Sequence, residues 1–235
     1  MTLLGFDTAT TTCSAALWAG GALTAHRRSE AGGRHAEALV PMLREVAAEG
    51  GTTLAAVDAF AVTVGPGSFT GIRIGLAAAR GLALAGKRPL IGLSTLEVLA
   101  AGVPTKEREG PILAALDAGR GRLYVQLFDR SLAAVSEPEA LSAEALPGFV
   151  GAAGKGGPLI VAGTGQEVAL AALRPGTAAH PASGPSTPDA RVLVRLAAGR
   201  AEGGHHPAAP VRPLYLREPG ARPKARPGTG DPSRG

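Results

Sequence analysis

The chain is poor in several residue types. Aromatic residues make up 3% of its 235 residues, with one tryptophan, two methionines and one cysteine. A lone thiol excludes an internal disulfide. Cys13 stands in the apolar run TCSAALW, which suits a buried, reduced side chain. Long apolar runs are missing too. The longest stretch of small apolar residues, 72–86, contains Arg73 and Arg80 and is too short to span a bilayer. The opening residues MTLLGFDTA have no basic start and reach Asp7 before a signal-peptide segment develops. A cytoplasmic protein with no membrane contact is expected. Of five histidines, the only close pair is His205–His206. Adjacent side chains point apart and sit here in a proline-rich tail, so no metal site is expected.

Glycine (34) and proline (19) are plentiful, and 45% of the chain is apolar. That describes a core of Ala, Leu and Val with close backbone approaches. The net charge of +5 is uneven: from Arg200 onward seven Lys/Arg face three Asp/Glu, a balance of +4. The folded body is therefore near neutral and is not a basic nucleic-acid-binding domain by composition. The end of the chain, 201–235, reads as a flexible, basic, Pro-rich tail with electrostatic reach toward RNA. Within it, Leu214, Tyr215 and Leu216 of RPLYLR are candidates to dock on the body.

Along the chain, Leu3–Thr8, Cys13–Trp18 and Ala22–Arg28 read as three antiparallel strands, the last two joined at Gly20–Gly21. His35–Glu49 has helical periodicity, with Pro41 awkwardly inside it. A buried strand (Asp58–Val64), a helix (Gly71–Ala85), a strand (Arg88–Leu93) and a helix capped by Ser94 with Glu97 follow. This order is that of a ribonuclease-H-like fold with a mixed sheet. LLGFDTATTTCSAALW (3–18) is echoed by ILAALDAGRGRLYVQLF (112–128), each with an Asp closing its first strand. The remainder, helix 142–150, strand 158–162 and helices 166–173 and 188–199, reads as a reduced second copy. Two lobes of α/β type result, 1–102 and 103–200, side by side as in actin-like proteins.

Two turns carry chemistry. DTATTT offers Asp7, Thr8 and Thr10 as candidate nucleotide-binding groups, or else a turn that satisfies its own backbone. The turn Gly65, Pro66, Gly67, Ser68, Phe69, Thr70, Gly71 could cradle an anion at a helix N-terminus. It lacks the lysine of a Walker loop and the G-x-S-x-G spacing of a nucleophile elbow. Its main role is read as steering a strand into a helix. No acid is clearly placed to orient His26 or His35 for nucleophilic catalysis. The thin helix 71–85, with small residues at 71, 75, 78, 79 and 83, favours close helix packing.

The blocks LLGFDTATTTCSAAL, GGRHAEALVPML, VGPGSFTGIRIGLAAARGLA, PLIGLSTLEVLA, LDAGRGRLYVQLF and PLYLR, in this order, resemble the TsaB (YeaZ) family over nearly the whole chain. The resemblance implies a two-lobed actin-like scaffold that is not an enzyme by itself. It implies a TsaD-like catalytic partner, joined by a TsaE-like P-loop ATPase. Such a complex uses ATP to place threonylcarbamoyl on N6 of adenosine 37 in tRNAs reading ANN codons. TsaD-like proteins carry two metal-binding histidines where this chain has Thr95 and Leu99, which implies a lost metal centre and no resident cofactor. It further implies a helical partner interface, for which His35, Leu39, Leu43, Ile72, Leu76 and Ala79 are the candidate contacts, with Arg73 and Arg80 at the rim. The chain departs from the family at Ala36, where Ser is usual, and in DAGRGR, where two consecutive Arg are common. The oligomeric state of the lone chain stays open, a homodimer being one way to cover the helices. An independent actin-like ATPase and a peptidase are the competing readings.

Overall fold

Short apolar runs broken by paired small residues fold the start of the chain into a meander. The computed structural model describes residues 1–30, 32–153, 157–173, 175–203 and 210–216. In it β1 (Thr2–Asp7), β2 (Thr12–Ala19) and β3 (Ala22–Glu30) pair antiparallel. Helix α1 (His35–Glu49) then covers one face. Pro41 stays inside α1, on its exposed side, where water can serve the carbonyl it leaves unpaired. β4 (Ala59–Thr63) joins parallel to β1, and its five residues are all buried, as a central strand requires. Helix α2 (Phe69–Gly86) returns the chain to β5 (Leu90–Leu93), and α3 (Thr95–Ala101) follows. The first sheet has the order β3-β2-β1-β4-β5.

The second half repeats this scheme in β6 (Ile112–Asp117), β7 (Arg122–Phe128), β8 (Glu139–Ser142), β9 (Leu159–Ala162) and β10 (Ala179–Pro181). Its sheet, β8-β7-β6-β9-β10, has the same topology as the first. The helices are trimmed: α4 (Leu146–Ala153) and α5 (Gln166–Ala172) have 8 and 7 residues, against 15 and 18 for α1 and α2. The echo between 3–18 and 112–128 is thus a pair of equivalent hairpins.

The last helix of each half crosses over. α3 buries Leu96, Leu99 and Ala100 against Ile112, Ala114 and Phe128 of the second sheet. α6 (Ala190–Glu202) buries Leu193, Val194 and Ala197 against Leu3, Ala16 and Ala61 of the first. The division at 103–200 therefore needs correction: α6 belongs physically to the first lobe. Burying Leu193 and Val194 contributes roughly 3–6 kcal/mol of transfer free energy, which ties the two halves together. Residues 210–216 also return to the first lobe, so the described part of the tail is an ordered strap. The Leu214 N–H donates to Val64 O at 2.8 Å.

Candidate functional site

The Gly65–Pro66–Gly67 turn sits where β4, the first hairpin, α3 and the strap meet. Gly65 has φ +105°, and a Cβ there would stand 2.7 Å from Leu214 O. A Cβ on Gly67 (φ +155°) would stand 2.2 Å from Ala9 O. Only glycine allows these approaches. The Ser68 N–H donates to Ala9 O at 2.7 Å, the Thr95 N–H to Gly65 O at 2.8 Å, and Thr8 Oγ1 to Gly71 O at 2.8 Å. Ser68 caps α2 by accepting the Gly71 N–H at 3.2 Å.

Asp7 and Thr8, read from sequence as nucleotide ligands, point inward. Asp7 is fully buried; its Oδ1 accepts Thr63 Oγ1 at 2.5 Å and the Ala9 N–H at 3.1 Å, while Oδ2 is unpartnered. Burial, opposed by those two hydrogen bonds, pushes its carboxyl up to about 7. Burial, and then the Asp7 charge, also push the Cys13 thiol up to about 11.

Between the two hairpin turns lies a cleft of about 620 Å³. Of the sequence-predicted nucleotide ligands only Thr10 lines it, with Thr11, Gly67 and Ser68 from the first lobe and Asp117, Tyr124 and Thr164 from the second. His35 lines it as well, 6% exposed, its Nε2 buried without a hydrogen-bond partner. Among the described residues no lysine or arginine lines this cleft, and its one carboxylate would repel a polyphosphate. No group of three or more His, Cys, Asp or Glu able to hold a metal occurs among the described residues. Thr95 and Leu99 are 0% and 1% exposed; Leu99 packs against the second sheet, and the Thr95 hydroxyl is buried without a hydrogen-bond partner. His205 and His206 lie outside the described residues. Among the described residues no serine or threonine hydroxyl bonds a histidine, so no nucleophile–base pair is assembled.

The proposed partner contacts need the largest correction. Leu39, Leu43, Ile72, Leu76 and Ala79 are at most 3% exposed and face the first sheet. The apolar stripe that marks an amphipathic helix in sequence is the stripe its own core absorbs. The outward face of the pair is made instead of Ala36, Val40 and Arg44 on α1 and Thr70, Ala77, Gly81 and Ala85 on α2, all exposed. Arg73 and Arg80 are exposed but serve the strap. Arg73 Nε donates to the Tyr215 hydroxyl at 3.2 Å and its guanidinium lies 3.6 Å from the Phe69 ring centroid. Arg80 donates to Val211 O at 2.6 Å.

A polar staple that sequence reading missed fastens the crossover into α6. Asp189, 2% exposed, caps α6, holds Arg191 through both carboxylate oxygens and approaches His26 Nε2 at 3.4 Å. Burial works to raise the Asp189 carboxyl, but Arg191 and His26 outweigh it and hold it below the usual range. Burial lowers the His26 pKa despite Asp189. Ser14 Oγ accepts the Ala190 N–H, and Thr12 Oγ1 donates to Thr187 Oγ1. The signal available was STPD before an apolar period, an N-cap pattern with Asp189 at the cap. Elsewhere Glu97 does not close a capping box; it pairs with Arg200 of α6.

Two α/β lobes of equal topology, crossed by their last helices around a central cleft, define a protein of the two-lobed actin-like class. Comparison with known proteins agrees. Residues 28–155 match the family described as TsaD: tRNA N6-adenosine threonylcarbamoyltransferase. The Escherichia coli tRNA threonylcarbamoyladenosine biosynthesis protein TsaB is 42% identical over 130 residues, covering 55% of this chain and 56% of that protein. The chain thus spans about half the length of that curated relative. The solved structure of YeaZ from Pseudomonas aeruginosa is 31% identical, with a TM-score of 0.77, over 92% of this chain and 99% of that one. A ROK hexokinase from Thermus thermophilus shares the fold alone, at 14% identity and a TM-score of 0.51 over 86% of this chain and 100% of that one. The chain belongs to the TsaB (YeaZ) family.

Proposed function

We propose that this chain is a noncatalytic scaffold subunit of a complex that transfers threonylcarbamoyl to N6 of adenosine 37 in tRNAs reading ANN codons. The observation that carries the reading is the burial of Thr95 and Leu99 at the register where TsaD-like proteins hold their metal histidines. The cleft's lack of a lining cation among the described residues argues the same way against an independent ATPase. ATP is consumed by the complex, through the TsaD-like catalytic subunit and a TsaE-like P-loop ATPase. The TsaD-like subunit docks on the outward α1–α2 face, where Val40 is 43% exposed and small residues on α2 let a second helix pair approach closely.

Size-exclusion chromatography with light scattering, of the chain alone and mixed with the TsaD-like subunit, tests this. Wild type forms a heterodimer; Ala77→Glu combined with Val40→Glu keeps its melting temperature and does not. Leu76→Glu serves as a folding control, because that side chain is 3% exposed and a buried charge destabilises the lobe. Transfer activity by the chain alone, or a folded wild type that ignores the partner, overturns the reading.

A further inference from the structure

We infer that the flank of α2 and the strap over it form a surface for the phosphate backbone of an RNA. Two groups of cations among the described residues contrast. Arg27, Arg28, Arg191 and Arg200 each face a carboxylate within 4 Å. Arg73, Arg80, Lys87, Arg88 and Arg212 are all exposed, and none forms an ion pair with a described residue. No acid occurs in residues 59–96 or 203–216, so these five charges stand without local compensation.

Their placement is ordered. Arg73 and Arg80 stand seven residues, about two turns, apart on one side of α2, roughly 10 Å along its axis at 1.5 Å per residue. Lys87, in the left-handed conformation at φ +52°, caps the C-terminal end of the helix, with Arg88 next to it in the chain. Arg212 lies on the strap beside Val211, whose carbonyl receives Arg80. The strap anchors Arg73 and Arg80 through a hydroxyl and a carbonyl, which orient a guanidinium but leave its charge in place. Tyr215, 37% exposed and packed on Phe69 with ring centroids 5.2 Å apart, adds an aromatic surface among the cations. Spaced cations beside an aromatic edge suit single-stranded or looped RNA, whose phosphates meet the cations while a base stacks. By sequence, the chain beyond Leu216 adds five Lys/Arg against two Asp/Glu. This flank adjoins the outward α1–α2 face, since Ala77 is one turn from both Arg73 and Arg80; the choice of RNA as the polyanion rests on the tRNA-modification reading.

The test is fluorescence anisotropy of a fluorescein-labelled tRNA transcript titrated with the full chain at several KCl concentrations. The flank variant is Lys87→Glu, Arg88→Glu and Arg212→Glu, whose side chains hold no described hydrogen bond or ion pair. The control is Arg120→Glu, Arg130→Glu and Arg195→Glu, which has the same net charge. The flank variant weakens binding about tenfold or more and lowers the salt slope by about two to three, near 0.9 per lost phosphate contact. The control shifts affinity much less. The inference is overturned if wild type shows no saturable binding, if the control loses as much as the flank variant, or if polyglutamate displaces the tRNA at equal charge concentration. The last outcome assigns the flank to an acidic protein instead. A heterodimer without RNA binding removes this inference alone; RNA binding without a heterodimer removes the scaffold reading alone.

Discussion

Replacing Asp7 with asparagine converts a buried titration into a measurable change in stability. In the folded chain this carboxyl is raised from 3.8 to about 7. The folded state therefore holds the proton more tightly than the unfolded one. The stability this group contributes is complete below pH 3.8 and is lost as the pH rises through about 7. At 1.36 kcal/mol per pH unit the whole span is about 4 kcal/mol, of which about 3 kcal/mol falls between pH 5 and 8. Asparagine keeps an Oδ1 acceptor for Thr63 and Ala9 and carries no charge. His26, whose pKa is lowered, titrates in the same window with the opposite sign, stability rising with pH. It is present in both proteins and cancels in their difference. Urea unfolding at pH 5, 6, 7 and 8 should show Asp7→Asn gaining about 3 kcal/mol relative to wild type from the acidic to the basic end. Parallel curves would refute the claim that burial raises the Asp7 carboxyl.

Two further outcomes follow from packing. Gly71→Ala places a Cβ 2.0 Å from the Thr8 carbonyl oxygen and should cost about 3 kcal/mol in urea unfolding, whereas Gly81→Ala, with nothing within 4 Å on an exposed helical face, should gain about 0.5–1 kcal/mol. Cys13, 0% exposed with its thiol pushed up to about 11, should resist iodoacetamide at pH 8 in the folded chain and react once urea unfolds it; rapid labelling of the folded chain would contradict that burial.

Much of the fold was legible because it rests on neighbours in the chain. Strand alternation, the Gly20–Gly21 hairpin, the helical period from His35 to Glu49 and the serine cap at 94 are short-range features. The repeat of an Asp-ended strand at 3–7 and 112–117 announced two equivalent lobes, and the two sheets share one topology. The candidate site was less legible. Periodicity identifies an apolar stripe but not what covers it, so Leu39, Leu43, Ile72, Leu76 and Ala79 looked available to a partner although their own sheet buries them. Asp7 and Thr8 are of the right type to meet a phosphate; their direction into the lobe comes from Thr63 and Gly71, about sixty residues away.

By itself, then, the sequence determined the elements of the first lobe, the second hairpin and the doubled plan, whereas the short edge strands β8 and β10 went unread; the Thr95 and Leu99 substitutions in the metal register came from the family resemblance. Only the tertiary structure decided which lobe α6 serves, which face of α1–α2 remains outside, and that Arg73 and Arg80 hold the strap. The reason is physical. Backbone propensity, capping and periodicity act within a few residues of chain, whereas burial is settled by which surfaces meet after the chain has crossed from one lobe to the other.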